Sequence, residues 1–169
     1  MNPIPTQRIA KLKEAIALSF AKISHPAPNN IAPHQCEECA EARETFIQKD
    51  WRMLSSDVME GHFDQLSLLS PEAFQFFLPA FMCFSLDHLD SPTCEFTVYA
   101  LAFNYTRKTK EETDRQIEWW DSRFSLFEKD QLLVLINFLD LVKDSDDRNY
   151  FQDEVQRGKH HIELLVSKY

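Results

Sequence analysis

The longest apolar stretch of the chain runs from Ala73 to Leu86 and carries only two polar side chains, Gln75 and Ser85. A helix that is apolar on every side must be covered from several directions. Ser70 before it can accept from an unpaired first-turn amide, Pro71 suits a first helical position that needs no N–H, and Glu72 complements the positive end of the helix dipole. These signals predict a buried central helix over Ser70–Leu86. Pro79 sits inside it and lacks the amide that would bond the Gln75 carbonyl, so a kink or a break into two halves is expected there. The run is well short of the ~20 residues that span a bilayer.

The flanking pattern is helical as well. Ile9, Leu12, Ile16, Phe20 and Ile23 recur at three- and four-residue steps and predict an amphipathic helix over 6–24, opened by Thr6 after the Pro3 and Pro5 lead-in. Its apolar face is expected to pack on a core rather than on a membrane. Three prolines and two asparagines make 25–33 a loop. A second helix starts around His34 to Cys39 and is expected to end near Asp50, with Trp51 and Leu54 returning to the core. Asp57 with Glu60 has the spacing of a cap for a short third helix. Ser91 and Pro92 open a stretch in which Phe96, Ala100 and Phe103 fit a helix face while Thr97, Val98 and Tyr99 favour a strand; the Ser-Pro start decides for helix over 95–103. Thr109 with Glu112 and Ser125 with Glu128 are capping pairs for two more helices, the second covering 131–143. After the acidic turn that ends at Asp147, Phe151, Val155, Ile162 and Leu165 mark a last helix with Gly158 as its weak point. The expected fold is all-α, one irregular bundle of about six to eight helices over residues 1–169, packed around the central helix.

Composition supports this. A chain of 169 residues buries about 70% of its unfolded surface. A hydrophobic content of 44% with 14 Phe excludes a disordered chain, and 2 Gly leave few positions for primed hairpin turns. The net charge of −9 is uneven: residues 26–99 hold three basic side chains, Arg43, Lys49 and Arg52, against twelve acidic ones. Such a surface repels phosphate backbones, so the expected partner is a protein with a basic face rather than nucleic acid or a membrane. The first helix disperses Lys and Glu through what would be an apolar leader, which predicts a cytoplasmic protein. Four cysteines in that compartment are expected as free thiols or metal ligands.

His34, Cys36 and Cys39 place one imidazole and two thiols within six residues at a helix start. Three readings compete. The set could hold zinc, which needs a fourth ligand from Cys83, Cys94, His25, His62, His88, His160 or His161. It could be a redox dithiol, since a helix N-terminus lowers thiol pKa values. Or it could be a plain helix start, with His34 as a local hydrogen bonder. Glu37, Glu38, Glu41 and Glu44 read as a solvated face whose charge suits a first turn. No Glu is followed by His three residues on, so the di-iron bundle pattern is absent. Neighbours on a helix differ by about 100°, so Trp119 and Trp120 cannot both point inward unless another element covers both. One exposed Trp would mark a protein-binding patch. His160 and His161 read as a solvated pair. No catalytic constellation or phosphate loop is recognisable.

Three stretches, His34-Gln-Cys36-Glu-Glu-Cys39, Leu68-Leu-Ser-Pro-Glu-Ala-Phe-Gln-Phe-Phe-Leu-Pro79 and Glu95-Phe-Thr-Val-Tyr99, together with Phe127, Gln131, Phe138 and Leu139, resemble a family of uncharacterised, mainly bacterial proteins classed as a domain of unknown function. The resemblance covers roughly residues 34 to 140 and implies no activity, cofactor or partner. The expected function is non-enzymatic protein–protein interaction of an immunity or adaptor kind. The alternative is a metal-binding or thiol-dependent protein built on His34, Cys36 and Cys39.

Overall fold

The computed structural model describes residues 6–102, 110–146 and 150–169, with side chains from residue 114 in the second stretch. Eight α-helices and no strand occur among them. The central helix, α4, spans Pro71–Asp87; Ser70 Oγ accepts from the Ala73 amide at 3.1 Å, and Pro71 occupies the first turn. It runs unbroken through Pro79, so the expected division into two halves does not occur. The interior proline costs about 3 kcal/mol. Phe74, Phe77, Leu78, Phe81 and Met82 are all buried on the same helix, each worth ~1.5–3 kcal/mol, and this outweighs that cost.

The two polar residues of α4 fix its neighbours. Gln75 Nε2 donates to the Leu126 carbonyl at 2.6 Å and to Gln131 Oε1 at 3.0 Å. Ser85 Oγ donates to the Phe81 carbonyl at 2.7 Å and to Thr97 Oγ1 at 3.4 Å.

Helix α1 covers Thr6–Ser19 and stops short of the expected residue 24. The Ser19 carbonyl accepts instead from Gln131 Nε2 at 3.1 Å, so a tertiary bond satisfies one of the terminal acceptors, and Phe20 turns fully into the core. The loop at 25–33 contains a 3-10 turn at Pro28–Asn30. It is anchored on the start of α4: the Ser70 amide donates to the Ile31 carbonyl and Ser70 Oγ to the Asn30 carbonyl.

Helix α2, Glu37–Phe46, is shorter than expected: Ile47 leaves helical geometry with ψ 132° and Gln48 follows with a left-handed φ of 57°, a pair that cannot continue a helix. A 3-10 turn at Trp51–Met53 follows, and Trp51 is buried as expected. Helix α3, Ser56–Gly61, is capped by Ser55 rather than Asp57, which stays in the first turn where its charge suits the dipole.

Helix α5 spans Pro92–Leu101, with Ser91 Oγ accepting from Cys94 N, and the helical reading of its ambiguous stretch holds. Its β-branched residues serve packing: Thr93 Oγ1 bonds the Met59 carbonyl and Thr97 Oγ1 the Thr93 carbonyl. After α6, Lys110–Phe124, helix α7 runs over Lys129–Ser145. Its capping box is Glu128 with Gln131 and not Ser125 with Glu128; Ser125 Oγ donates to the Ser122 carbonyl instead. The cap pair Thr109 and Glu112, the Pro3 and Pro5 lead-in, Phe103 and Asp147 lie outside what is described.

Helix α8, Gln152–Val166, packs along α7 and across α5. Gly158 is no weak point. A Cβ there would lie 2.8 Å from the Leu101 carbonyl oxygen and 3.2 Å from Leu139 Cδ1, so only glycine lets α8 approach the end of α5 this closely. The buried side chains form one continuous cluster with α4 at its centre. No described helix is long and apolar enough to cross a membrane.

Candidate functional site

Cys36 is the N-cap of α2. Its backbone is extended, and its Sγ accepts from the Cys39 amide at 3.4 Å, the bond a Ser or Asp cap would make with oxygen. Cys36 is exposed, whereas Cys39 is completely buried. Cys39, Ala42 and Phe46 form the inward face of α2, and the Phe46 ring lies 4.8 Å from Phe77 of α4. The same packing that buries one sulfur therefore leaves the other at the surface.

The two thiols diverge electrostatically. The backbone hydrogen bond from Cys39 and the Cys39 thiol hold the Cys36 pKa below its ordinary value of 9.0, with Glu38 opposing. Burial, then the neighbouring Cys36 sulfur, pushes Cys39 up, while the His34 backbone amide favours its thiolate. Arg43, half-buried on α2, donates from Nη1 to the carbonyls of Ala32 and His34, both at 2.8 Å. It thereby fixes the peptide that faces the Cys39 sulfur.

The structure brings Cys36 and Cys39 together, but the exposed His34 ring sits 6.5 Å from the Trp119 ring. Among the described residues no three His, Cys, Asp or Glu side chains gather as a metal would require. Cys83 lies beside the Lys13–Asp87 ion pair, with its thiol pushed by burial to about 11. Cys94 is buried next to Ser85 and pushed to about 12.

Glu37, Glu38, Glu41 and Glu44 are all exposed; only Glu41 has a described ionic neighbour, His62 Nδ1 at 3.5 Å. Neither tryptophan is exposed. Trp120 is buried, stacked on Phe124. Trp119 is half-buried against Arg123, whose guanidinium carbon lies 4.5 Å from the Trp119 ring and 4.8 Å from Phe74. Arg123 is itself buried, donates to the carbonyls of Ser67 and Leu69, and has its pKa lowered by burial to about 10. Of the pair expected at the surface, His160 is exposed and His161 is half-buried. It packs 5.5 Å from Trp120, and beside it Asp153, Gln156, Arg157 and His160 line an open cleft of about 330 Å³.

Arg43 and Arg123 were not legible as site or packing residues. The one available signal was Arg43 as the lone cation among the glutamates of α2.

A family model described as a family of unknown function, DUF6714, matches residues 31–163. The chain belongs to this family. The DUF6714 match begins at the buried loop residue Ile31 and takes in the dithiol, α4 and most of α8. It leaves out α1, although Leu12 and Ile16 of α1 lie in the same core. No curated protein and no solved structure matches this DUF6714 chain significantly.

Proposed function

We propose that this DUF6714 protein acts through thiol–disulfide exchange, with Cys36 as the attacking sulfur and Cys39 as the resolving one. The observation that carries this is the asymmetry of the pair: an exposed Cys36 Sγ, held 3.4 Å from the Cys39 amide, stands over a fully buried Cys39. A disulfide needs the two Cβ atoms within about 3.5–4.5 Å, and Cys36, whose extended N-cap backbone stands outside the helix, can supply the movement that closes it. The zinc reading has only these two sulfurs to draw on among the described residues, and for that reason ranks second.

The exchange balances as follows. The Cys36 thiolate attacks one sulfur of a partner disulfide; that S–S bond breaks, and the partner's other sulfur leaves as a thiolate. Cys39 then gives its proton to solvent and attacks the Cys36 sulfur, forming Cys36–Cys39 and releasing the partner's first sulfur. Two electrons pass from the dithiol to the partner. The expected protein–protein interaction enters here as the encounter with a polypeptide disulfide, and no turnover is required.

Incubation with a small neutral disulfide tests it by intact mass. The wild type should lose two hydrogens, Cys39→Ser should accumulate a mixed disulfide on Cys36, and Cys36→Ser should stay unmodified. Adducts that form equally on Cys36→Ser would refute the assignment.

A further inference from the structure

We infer that the exchange partner is a basic polypeptide segment, selected by the carboxylates that surround Cys36. This rests on the thiol reading above and adds the identity of its substrate class. Glu37 and Glu38 follow Cys36 directly, and Glu41 lies one turn on, about 7.5 Å of helix rise away. All three are exposed and fall within about one Debye length of the sulfur at ordinary salt. Glu44 extends the row, so the carboxylates cover about 10 Å of helix, the length of three extended residues rather than of one small cation.

Little opposes this field. The single cation of α2, Arg43, is turned to the Ala32 and His34 carbonyls but keeps its charge, and His62 stands 3.5 Å from Glu41, so the four carboxylates are offset in part and the helix stays net negative. Lys49 lies beyond the far end of the helix. Helix α6 touches this corner through Trp119 and His34, and in that turn it carries one exposed charge of each sign, Arg115 and Glu118. A nucleophile set among like charges disfavours anionic partners such as glutathione disulfide and steers cationic ones toward itself. The chemistry at the sulfur is indifferent to charge, so the selection resides in the encounter.

The test uses three mixed disulfides of one cysteine peptide with thionitrobenzoate, the cysteine flanked by Lys, Ser or Glu. Release of the coloured thiolate gives second-order rate constants for the full-length protein, each divided by that for a neutral small thiol. The Lys peptide should outpace the Glu peptide by about tenfold at low salt, with the ratio collapsing toward unity at about 0.5 M. The triple variant Glu37→Gln, Glu38→Gln, Glu41→Gln should compress that ratio toward unity; because the ratio is taken within one protein, any change in the Cys36 thiolate cancels. Equal normalised rates at low salt, or a ratio unchanged in the triple variant, overturn the charge selection alone. Failure of every peptide to react, or equal reaction of Cys36→Ser, overturns the thiol reading and this inference with it.

Discussion

Alkylation should single out Cys36 among the four cysteines by about tenfold or more. Only the thiolate reacts, so the rate at each site follows its ionised fraction. At pH 8 a thiol at about 11 is ionised to about one part in 10³, and one at about 12 to about one part in 10⁴, which are the fractions for Cys83 and Cys94. Cys36 lies below 9.0, which places its thiolate fraction above about 9% at the same pH. A lower pKa also weakens a thiolate's intrinsic nucleophilicity, by about threefold per unit and so about tenfold over the two units that separate Cys36 from Cys83, which leaves about tenfold of the ~100-fold gain in ionised fraction. Solvent access acts in the same direction, because Cys94 and Cys39 are completely buried. Timed iodoacetamide labelling with peptide mapping, repeated from pH 6 to 10, should therefore show one fast site, Cys36, with a half-maximal rate below pH 9. Cys36→Ser should abolish the fast phase. A fast phase that survives this substitution, or labelling of Cys83 first, would refute the reasoning.

Three further outcomes concern the frame that holds the site. Gly158→Ala should destabilise the fold by about 1–3 kcal/mol in urea titration, because the clash with the Leu101 carbonyl exceeds the ~1 kcal/mol gain in helix propensity. Gln131→Leu should cost about 2–4 kcal/mol: it leaves the Ser19 carbonyl and the Glu128 amide without the partners at 3.1 Å they now have. His161 has its pKa lowered from 6.5 by burial and then by the charge of His160, with Asp121 opposing. The unfolded chain thus takes up the proton first, so the thermal midpoint should fall as pH drops below about 6.5 and level off once the folded-state imidazole titrates. His161→Gln should flatten that slope.

What could be read in advance divides along a physical line. The start of α4 was legible because Ser70, Pro71 and Glu72 act locally, and the same holds for Ser91 and Pro92 at α5. The end of α1 was not, because the side chain that accepts its role at Ser19 is Gln131, 112 positions away. The capping box of α7 was misplaced by three residues for a related reason. Both Ser125 and Glu128 have the required spacing, and the Gln131 Oε1 that accepts from the Glu128 amide also accepts from Gln75 of α4, so tertiary packing supports the second choice. Gly158 reads as a defect of α8 until α5 lies against it. At the site, the thiol pair was visible, but which sulfur faces solvent was not drawn out. The signal was present: Cys39, Ala42 and Phe46 stand three and four residues apart and mark the inward face.

That face also determines which half of the dithiol can move. Cys39 is held by the packing of α2, since the Phe46 ring contacts both Phe77 and Phe81 of α4 at 4.8 and 6.2 Å, and Arg43 ties the preceding loop to the same helix. Shifting the buried sulfur would disturb the central helix, whose close-packed core resists displacement. Cys36 has no such restraint. It is exposed, and its only described side-chain bond is the weak sulfur cap at 3.4 Å. Disulfide closure thus requires Cys36 to move toward a stationary Cys39, giving up one cap bond and nothing in the core. The oxidised protein should accordingly keep its far-UV circular dichroism and the near-UV signal of Trp51, Trp119 and Trp120. A large loss of either on oxidation would mean that the buried sulfur moves, contrary to the packing of Phe46 on α4.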